Sequence, residues 1–179
     1  MANTTGPTRE RLFDEALLLV TESGLNSLSM RNLADRLHIK ASSLYKHVEG
    51  RDRIVAHIQE QGLRSCHLAL SRSVTSRSDF ANAYRRWAIN NPYVYEATMR
   101  TPLLRSQIDT DVEKQLVTLV MKVIDGSHDQ ARAAWSLVHG FVDLELLGRF
   151  PSKANVKKSW NVVLQMLDAL GMTNHASGQ

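Results

Sequence analysis

Cysteine and long hydrophobic runs are nearly absent from this chain of 179 residues. Its one cysteine, Cys66, has no second cysteine to pair with, which is typical of proteins in the reducing cytoplasm. No apolar run approaches the ~20 residues that span a bilayer, and the first residues, MANTTGPTRE, lack the apolar core of a signal peptide. The sequence therefore predicts a cytoplasmic protein with no membrane partner.

The motifs that usually carry catalysis are missing as well. No glutamate is followed by histidine at the third position, and the chain contains neither His-Glu-x-x-His nor a glycine-rich phosphate loop. Cys66 and His67 are adjacent, so on a helix their side chains point about 100° apart and form a poor metal or catalytic pair. We therefore expect no enzyme activity, no catalytic residue, no metal site and no cofactor.

Glycine and proline are sparse, at 9 and 4 residues, and strand-type alternation of apolar residues is almost absent. The apolar spacing instead predicts an all-α protein. The predicted helices cover approximately residues 8–23, 29–37, 41–48, 51 to the low seventies, 79–90, 92–99, 108–124, 129–149 and 153–170. SRSVTSRSD is the best candidate linker. We predict an N-terminal domain of residues 1–53 and a C-terminal domain of residues 54–179.

One stretch, SLSMRNLADRLHIKASSLYKHVEGRDRI at residues 27–54, contains two short apolar patterns separated at His38. Leu33 and Leu37 on the first helix are spaced to pack against Leu44 on the second. Two short helices joined in this way form a helix-turn-helix, whose second helix fits the major groove of DNA. The stretch from Leu28 to Arg53 carries six Lys/Arg against three Asp/Glu, whereas the whole chain is only +4.

The outer face of the second helix is polar, with Ser42, Ser43 and Lys46 flanked by Lys40 and His47. Serine and lysine donate hydrogen bonds to base edges and phosphates. Such a face is equally typical of a helix exposed to solvent, so the pattern alone leaves both interpretations open.

The residues themselves favour the first interpretation, because MRNLADRLHIKASSLYKHVEGRDRIV resembles the helix-turn-helix of the tetracycline-repressor (TetR) family. The resemblance lies in NLADRL, in SLYKHV and in the basic residue that follows. One position departs from the family, which often has glycine where this chain has His38. Since that position tends to need a positive φ, we expect some backbone strain there.

The resemblance implies which residues contact DNA. At the start of the second predicted helix they are Ser29 and Arg31. Residues implied to face bases or nearby phosphates are Ala41, Ser42, Ser43 and Lys46. Residues implied to contact the phosphate backbone are Tyr45, His47 and Arg51.

Two later segments, NNPYVYEATM and AAWSLVHGFVDLEL, resemble a C-terminal domain from one branch of the same family, marked by Trp135, His139 and Gly140. This resemblance implies a small-molecule pocket in a helical bundle, although each candidate residue is also consistent with core packing. His139 needs a hydrogen-bond partner, for which Asp143 is a candidate. The candidate pocket residues are Trp87, Tyr95, Met99, Met121, Trp135 and His139.

The resemblance also implies a homodimer formed through the last two helices. The final helix carries an apolar stripe that fits either an intersubunit contact or an internal core: Trp160, Val163, Leu167 and Leu170. A two-fold dimer would double the contacts on a palindromic DNA site.

The leading hypothesis is a ligand-responsive transcriptional repressor. It would bind double-stranded operator DNA as a homodimer and would be released by a small-molecule effector whose identity the sequence does not give. A DNA-binding regulator without an effector is the alternative, and a helical-bundle enzyme is a less favoured one.

Overall fold

The computed structural model describes residues 8–72 and 75–170. Within these ranges the backbone forms α-helices and two 3-10 turns and contains no strand, which confirms the all-α class. The helices are α1 (Arg9–Ser23), α2 (Met30–Arg36), α3 (Ala41–Leu44), α4 (Arg51–Ser71), α5 (Arg77–Asn90), α6 (Pro92–Met99), α7 (Thr110–Ile124), α8 (His128–Leu146) and α9 (Val156–Ala169). The 3-10 turns are Leu25–Ser27 and Arg105–Gln107.

Side-chain caps fix where several helices begin. The Thr8 hydroxyl accepts the Arg11 N–H at 3.3 Å, and the Ser29 hydroxyl accepts the Asn32 N–H at 3.0 Å. Ser127 and Gln130 form a reciprocal capping box at the start of α8. Each cap satisfies an N–H group that has no partner inside its helix, so Ser29 has the N-cap role predicted from the sequence.

The turn between α2 and α3 has the strained backbone expected from the sequence. His38 has φ 56°, and the Ile39 N–H donates to the Ala34 carbonyl at 3.0 Å. This bond closes a Schellman-type helix end, which places a left-handed residue directly after the helix. Histidine tolerates this conformation better than bulky or β-branched residues do.

The predicted third helix is shorter than expected and ends at Leu44 instead of near Val48. Beyond Leu44 the chain tightens, because the Lys46 and His47 N–H groups donate to the carbonyls three residues earlier. Such bonds are typical of a final helical turn that is not continued. Tyr45, Lys46 and His47 therefore lie on a turn that follows α3.

The chain divides into two compact units. The N-terminal unit contains the residues up to Arg64 together with Asn91–Val112, and the C-terminal unit contains Ser65–Asn90 and the residues from Glu113 onward. Helices α4 and α7 thus each contribute residues to both units, while α6 belongs to the N-terminal unit. The predicted DNA-binding domain, residues 1–53, is a smaller segment of the first unit, and its boundary remains a prediction.

A single apolar core holds the N-terminal unit together. Leu33 of α2, Leu44 of α3 and Ile54 of α4 are completely buried in it, together with Leu12 and Ala16 of α1. Truncating a fully buried leucine to alanine typically costs about 2–5 kcal/mol. The helix-turn-helix is therefore fixed by packing rather than by the weak helical propensity of its short helices.

Gln59 joins the middle of α4 to the segment that follows α6. Its side chain is fully buried, and its amide nitrogen lies 2.9–3.3 Å from three acceptors, while its oxygen accepts an N–H at 3.0 Å. The partners are the Ala97 carbonyl, the Thr101 hydroxyl, the Pro102 carbonyl and the Leu104 N–H.

Gly62, one turn beyond Gln59, lies where α4 and α6 approach closely. A Cβ atom at this position would overlap the side chain of Thr98. The Thr98 hydroxyl is buried and finds no hydrogen-bond partner among the described residues, an arrangement that costs free energy. The close approach of these helices thus depends on glycine at position 62.

The C-terminal unit packs α5 against α8 and α9. Trp160, Val163 and Leu167 are buried within this unit, and the Trp160 Nε1–H donates to Asn82 Oδ1 at 2.8 Å. The Phe141 ring lies 5.1 Å from the Trp160 ring. These three residues of the apolar stripe therefore form an internal core, one of the two interpretations that the sequence left open.

None of the described helices combines the length and the apolar character that crossing a bilayer requires.

His57 of α4 generates a pH-dependent prediction. Its ring stacks on Phe13 of α1 with centroids 4.3 Å apart, and burial lowers its pKa despite the nearby carboxylates of Glu60 and Asp14. The unfolded chain therefore binds a proton at a higher pH than the folded protein does. This difference favours unfolding progressively as the pH falls through and below the ordinary histidine pKa of about 6.5.

We expect the melting temperature of the wild type to fall more between about pH 7 and about pH 5 than that of His57→Gln, which lacks this proton uptake. Thermal melts followed by circular dichroism measure the difference, and His128→Gln, an exposed position at the start of α8, is the control. Equal losses in the wild type and His57→Gln would contradict the assignment.

Candidate functional site

The helix-turn-helix separates an apolar inner side from a polar outer side. Leu33 and Leu37 pack in the same core as Leu44 and Val48, and all four side chains are buried. This docking fixes α3 relative to α2. Ala41 at the start of α3 is half-buried and packs against the same core, whereas Ser42, Tyr45 and Lys46 are exposed.

The nine residues implied to contact DNA all retain exposed surface. Those that are exposed are Arg31, Ser42, Tyr45, Lys46 and Arg51, and those that are half-buried are Ser29, Ala41, Ser43 and His47. Tyr45 is 58% exposed. The fold thus gathers these residues on α2, α3, the following turn and the start of α4.

Two basic residues of the same stretch interact with the protein itself. The Arg36 guanidinium pairs with Glu22 at 2.7 Å and with Glu15 at 3.4 Å, and the hydrogen bond to Glu22 is the main reason that its pKa is raised. Arg53 donates to the Gln107 carbonyl at 3.3 Å. Because the two glutamates offset the charge of Arg36, the count of six positive charges overstates the charge that this surface presents.

Arg51, the first residue of α4, has an arrangement that the sequence did not indicate. Its Nε–H donates to the Leu28 carbonyl at 2.8 Å, and its Nη2 donates to the Leu25 carbonyl at 3.3 Å. Leu28 directly precedes the N-cap residue Ser29. The guanidinium thus contacts the backbone that leads into α2, in addition to any contact with DNA.

A second candidate site lies in the C-terminal unit, where α5 and α8 bring five rings together. We call this group the aromatic cluster: Phe80, Tyr84, Trp87, Trp135 and His139. The Tyr84 ring lies 4.8 Å from Trp135 and 5.9 Å from Trp87, and the Trp135 and His139 rings are parallel within 4°. Trp135 and His139 are half-buried, so this side of the cluster retains exposed surface.

Tyr84 is the centre of this cluster and was missed as a site residue. It is completely buried, and its hydroxyl lies 2.9 Å from His139 Nδ1. The sequence suggested Asp143 as a partner of the histidine, which stays a prediction; the partner at Nδ1 is the Tyr84 hydroxyl on a different helix. The spacing of Phe80, Tyr84 and Trp87 along one helical face was the available signal.

The six predicted pocket residues are divided between the two compact units. Trp87, Trp135 and His139 belong to the aromatic cluster, and Met121 is half-buried on α7 in the same unit. Tyr95 and Met99 lie on α6 in the N-terminal unit, where Tyr95 is fully buried and Met99 is half-buried. For these last two residues the sequence pattern did not reveal that α6 leaves the C-terminal unit.

The described residues were also compared with the requirements of a reactive thiol and of a metal site. Cys66 is completely buried, and burial raises the pKa of its thiol, which disfavours the reactive thiolate. Within residues 8–72 and 75–170, no group of three or more histidine, cysteine, aspartate or glutamate side chains is arranged to hold a metal ion.

Comparisons with known proteins agree on one family. Residues 78–167 match the family described as "Tetracyclin repressor-like, C-terminal domain". The HTH-type transcriptional regulator YobS of Bacillus subtilis is 28% identical over 171 residues, which cover 89% of this chain and 90% of YobS. In Mycobacterium tuberculosis, the HTH-type regulator Rv0681 is 29% identical over 155 residues, or 79% of this chain and 71% of Rv0681.

A solved structure shares the fold at lower identity. The regulatory protein SCO4313 superposes with a TM-score of 0.73 at 20% identity, covering 89% of this chain and 94% of its own. The family match covers half of the chain, and the relatives extend the likeness across the helix-turn-helix. The chain therefore belongs to the TetR family of transcriptional regulators.

Proposed function

We propose that this regulator is a cytoplasmic repressor that binds a palindromic operator as a homodimer and releases it when a small molecule binds the C-terminal unit. The observation that carries the DNA-binding part is the separation of the helix-turn-helix into a buried apolar side and an exposed polar side. The dimer and the effector rest on separate observations in the C-terminal unit.

The proposed DNA contacts follow from the geometry of the helix-turn-helix. Lys46 and Tyr45 extend from the turn after α3, and Arg31 extends from the first turn of α2, all three being exposed. Lysine and arginine bind phosphates and guanine edges, and a tyrosine hydroxyl donates to a phosphate oxygen. Ala41 can contact only an apolar group such as the methyl of thymine.

Selection from random duplexes tests this proposal, because the binding sequence need not be specified beforehand. We expect the wild type to enrich a palindrome with half-site centres about 34 Å apart, bound with a steep salt dependence. A pool in which no sequence is enriched would count against an operator-binding function.

On the selected duplex, Lys46→Ala should weaken binding about tenfold or more, because it removes a base or phosphate contact from each subunit. Its melting temperature should stay close to that of the wild type, since Lys46 is exposed. Fluorescence anisotropy measures the affinity. Lys157→Ala, which removes the same charge from an exposed position on α9, should bind as the wild type does. Equal affinities for Lys46→Ala and Lys157→Ala would remove Lys46 from the interface.

The dimer proposal is supported by apolar side chains that the C-terminal unit leaves exposed. Val162 and Met166 are one turn apart on α9 and are 44% and 53% exposed. Leu144 near the end of α8 is 45% exposed, and Leu147, which directly follows α8, is 49% exposed. Exposed large apolar residues on two helices of the same unit are candidates for an interface. We place the dimer contact on this group, and not on the buried Trp160 stripe.

Val162→Glu should raise the dimer dissociation constant about 100-fold or more, because it buries two unpaired charges across a two-fold interface. Val117→Glu is the matched control, since Val117 is 51% exposed but lies on α7. Sedimentation equilibrium measures both variants. If Val162→Glu remains dimeric, or if Val117→Glu dissociates equally, the interface lies elsewhere.

The effector proposal is supported by the aromatic cluster and by related structures. ActR of Streptomyces coelicolor, which shares the fold, has been solved with (S)-DNPA and with actinorhodin. In this chain, Trp135 and His139 offer two parallel and partly exposed rings beside the buried Tyr84. We assign effector contact to this side of the cluster, where flat apolar molecules can stack.

The proposed route from effector to DNA follows the chain. Helices α5 and α7 belong largely to the C-terminal unit, and the segment between them belongs to the N-terminal unit. Gln59 attaches that segment to α4, whose first residue contacts the backbone before α2. A ligand that binds one arrangement of α5 and α8 more tightly than another would shift the protein toward that arrangement. The resulting change in operator affinity is limited by the difference between the ligand's affinities for the two arrangements.

A further inference from the structure

We propose that Arg51 is a positioning residue, which sets the placement of α2 for DNA binding by holding the backbone before Ser29. This role differs from the phosphate contact that family resemblance implies for the same residue. The inference rests on the proposed operator binding. It concerns the residue that joins α4 to the helix-turn-helix.

The first observation is the pair of hydrogen bonds made by one edge of the guanidinium. Nε–H donates to the Leu28 carbonyl at 2.8 Å, and Nη2 donates to the Leu25 carbonyl at 3.3 Å. The planar guanidinium directs these two N–H groups in nearly parallel directions, so the edge is matched to two neighbouring carbonyls. The same edge cannot bind a phosphate while these bonds exist.

The second observation is that both carbonyls belong to the short segment between α1 and α2. Leu25 begins the 3-10 turn after α1, and its carbonyl also accepts the Leu28 N–H at 3.1 Å. Leu28 is buried and directly precedes Ser29, whose hydroxyl caps α2. Arg51 therefore fixes the backbone at the point where α2 begins.

Other side chains constrain the same short segment. Asn32 donates from Nδ2 to the Ser27 carbonyl at 2.8 Å, and the Ser27 hydroxyl donates to the Gly24 carbonyl at 2.6 Å. These bonds are local in sequence, whereas Arg51 reaches the segment from the next long helix. Of these side chains, only Arg51 comes from α4. The position of the start of α2, which carries Arg31, therefore depends on the position of the start of α4 through Arg51.

Lysine at position 51 separates the two roles. It keeps the positive charge and reaches a phosphate, but a single ammonium group does not reproduce the paired geometry of the guanidinium edge. If Arg51 positions α2, Arg51→Lys and Arg51→Ala should both weaken binding of the selected duplex, by about tenfold. The slope of log affinity against log salt should stay at the wild-type value for both variants.

Lys46→Ala provides the comparison for a direct contact. Loss of one phosphate contact in each subunit should reduce the magnitude of the salt slope by about 0.9 per subunit. Arg51 is a phosphate contact, and the proposal is wrong, if Arg51→Lys binds with wild-type affinity while Arg51→Ala shows this reduced slope. Wild-type affinity in both Arg51 variants would also overturn it.

A double-mutant cycle tests whether Arg51 acts through α2. Arg31→Ala should weaken binding less in the Arg51→Lys background than in the wild type, because Arg31 is then already misplaced. Lys46→Ala, on the turn after α3, should have the same effect in both backgrounds to within about twofold. Independent effects of Arg31 and Arg51 would contradict a positioning role.

A measurement without DNA distinguishes failure of this inference from failure of the proposed function. Amide exchange followed by nuclear magnetic resonance should be faster at Asn32 and Leu33 in Arg51→Lys than in the wild type, with the melting temperature nearly unchanged. This holds even if selection yields no operator. Unchanged exchange at the start of α2 would overturn the role of Arg51, whether or not the protein binds a specific duplex.

Discussion

The buried amide of Gln59 is the interaction that fixes the segment after α6 against α4 within the N-terminal unit. Its hydrogen bonds hold the segment 97–104 against the middle of α4, in a place where water cannot replace them. Leaving such a group unpaired costs about 1–3 kcal/mol, so this segment and α4 should move together. Because the segment lies between α5 and α7 along the chain, and both helices belong largely to the C-terminal unit, the proposed effector response would reach α4 through this segment.

Features that depend on local sequence could be predicted. Helix positions followed from apolar spacing and caps, and Ser29 was identified correctly as the N-cap of α2. The positive φ of His38 was implied by the family resemblance, because the family often has glycine at this position. The exposed polar side of α3 was predictable from the apolar pattern, since burial of Leu33 and Leu44 determines which side chains face outward.

Features that depend on packing between distant segments could not be predicted from the sequence. Tyr95 and Tyr84 both lie on apolar helical faces, and no local pattern indicates that their helices belong to different compact units. Likewise, Arg36 and Arg51 both count toward the positive charge of the helix-turn-helix stretch, but Arg36 pairs with two glutamates of α1 and Arg51 donates to backbone carbonyls. The buried side of α9 was ambiguous because an internal core and a dimer interface require the same apolar residues.

The proposed link between the two units is tested most directly by amide hydrogen exchange. The exchange is compared for the protein alone, with its selected duplex and with a scrambled duplex, and no effector is needed. Coupling between binding sites is reciprocal, so DNA binding must alter the C-terminal unit if that unit controls DNA binding. We predict that the selected duplex alone changes exchange in segment 97–104 and in α5 and α8. In Gln59→Leu the changes in α5 and α8 should be lost, while those in α2 and α3 remain. Changes confined to the residues before Arg64 in the wild type would contradict the account and would favour a DNA-binding regulator without an effector.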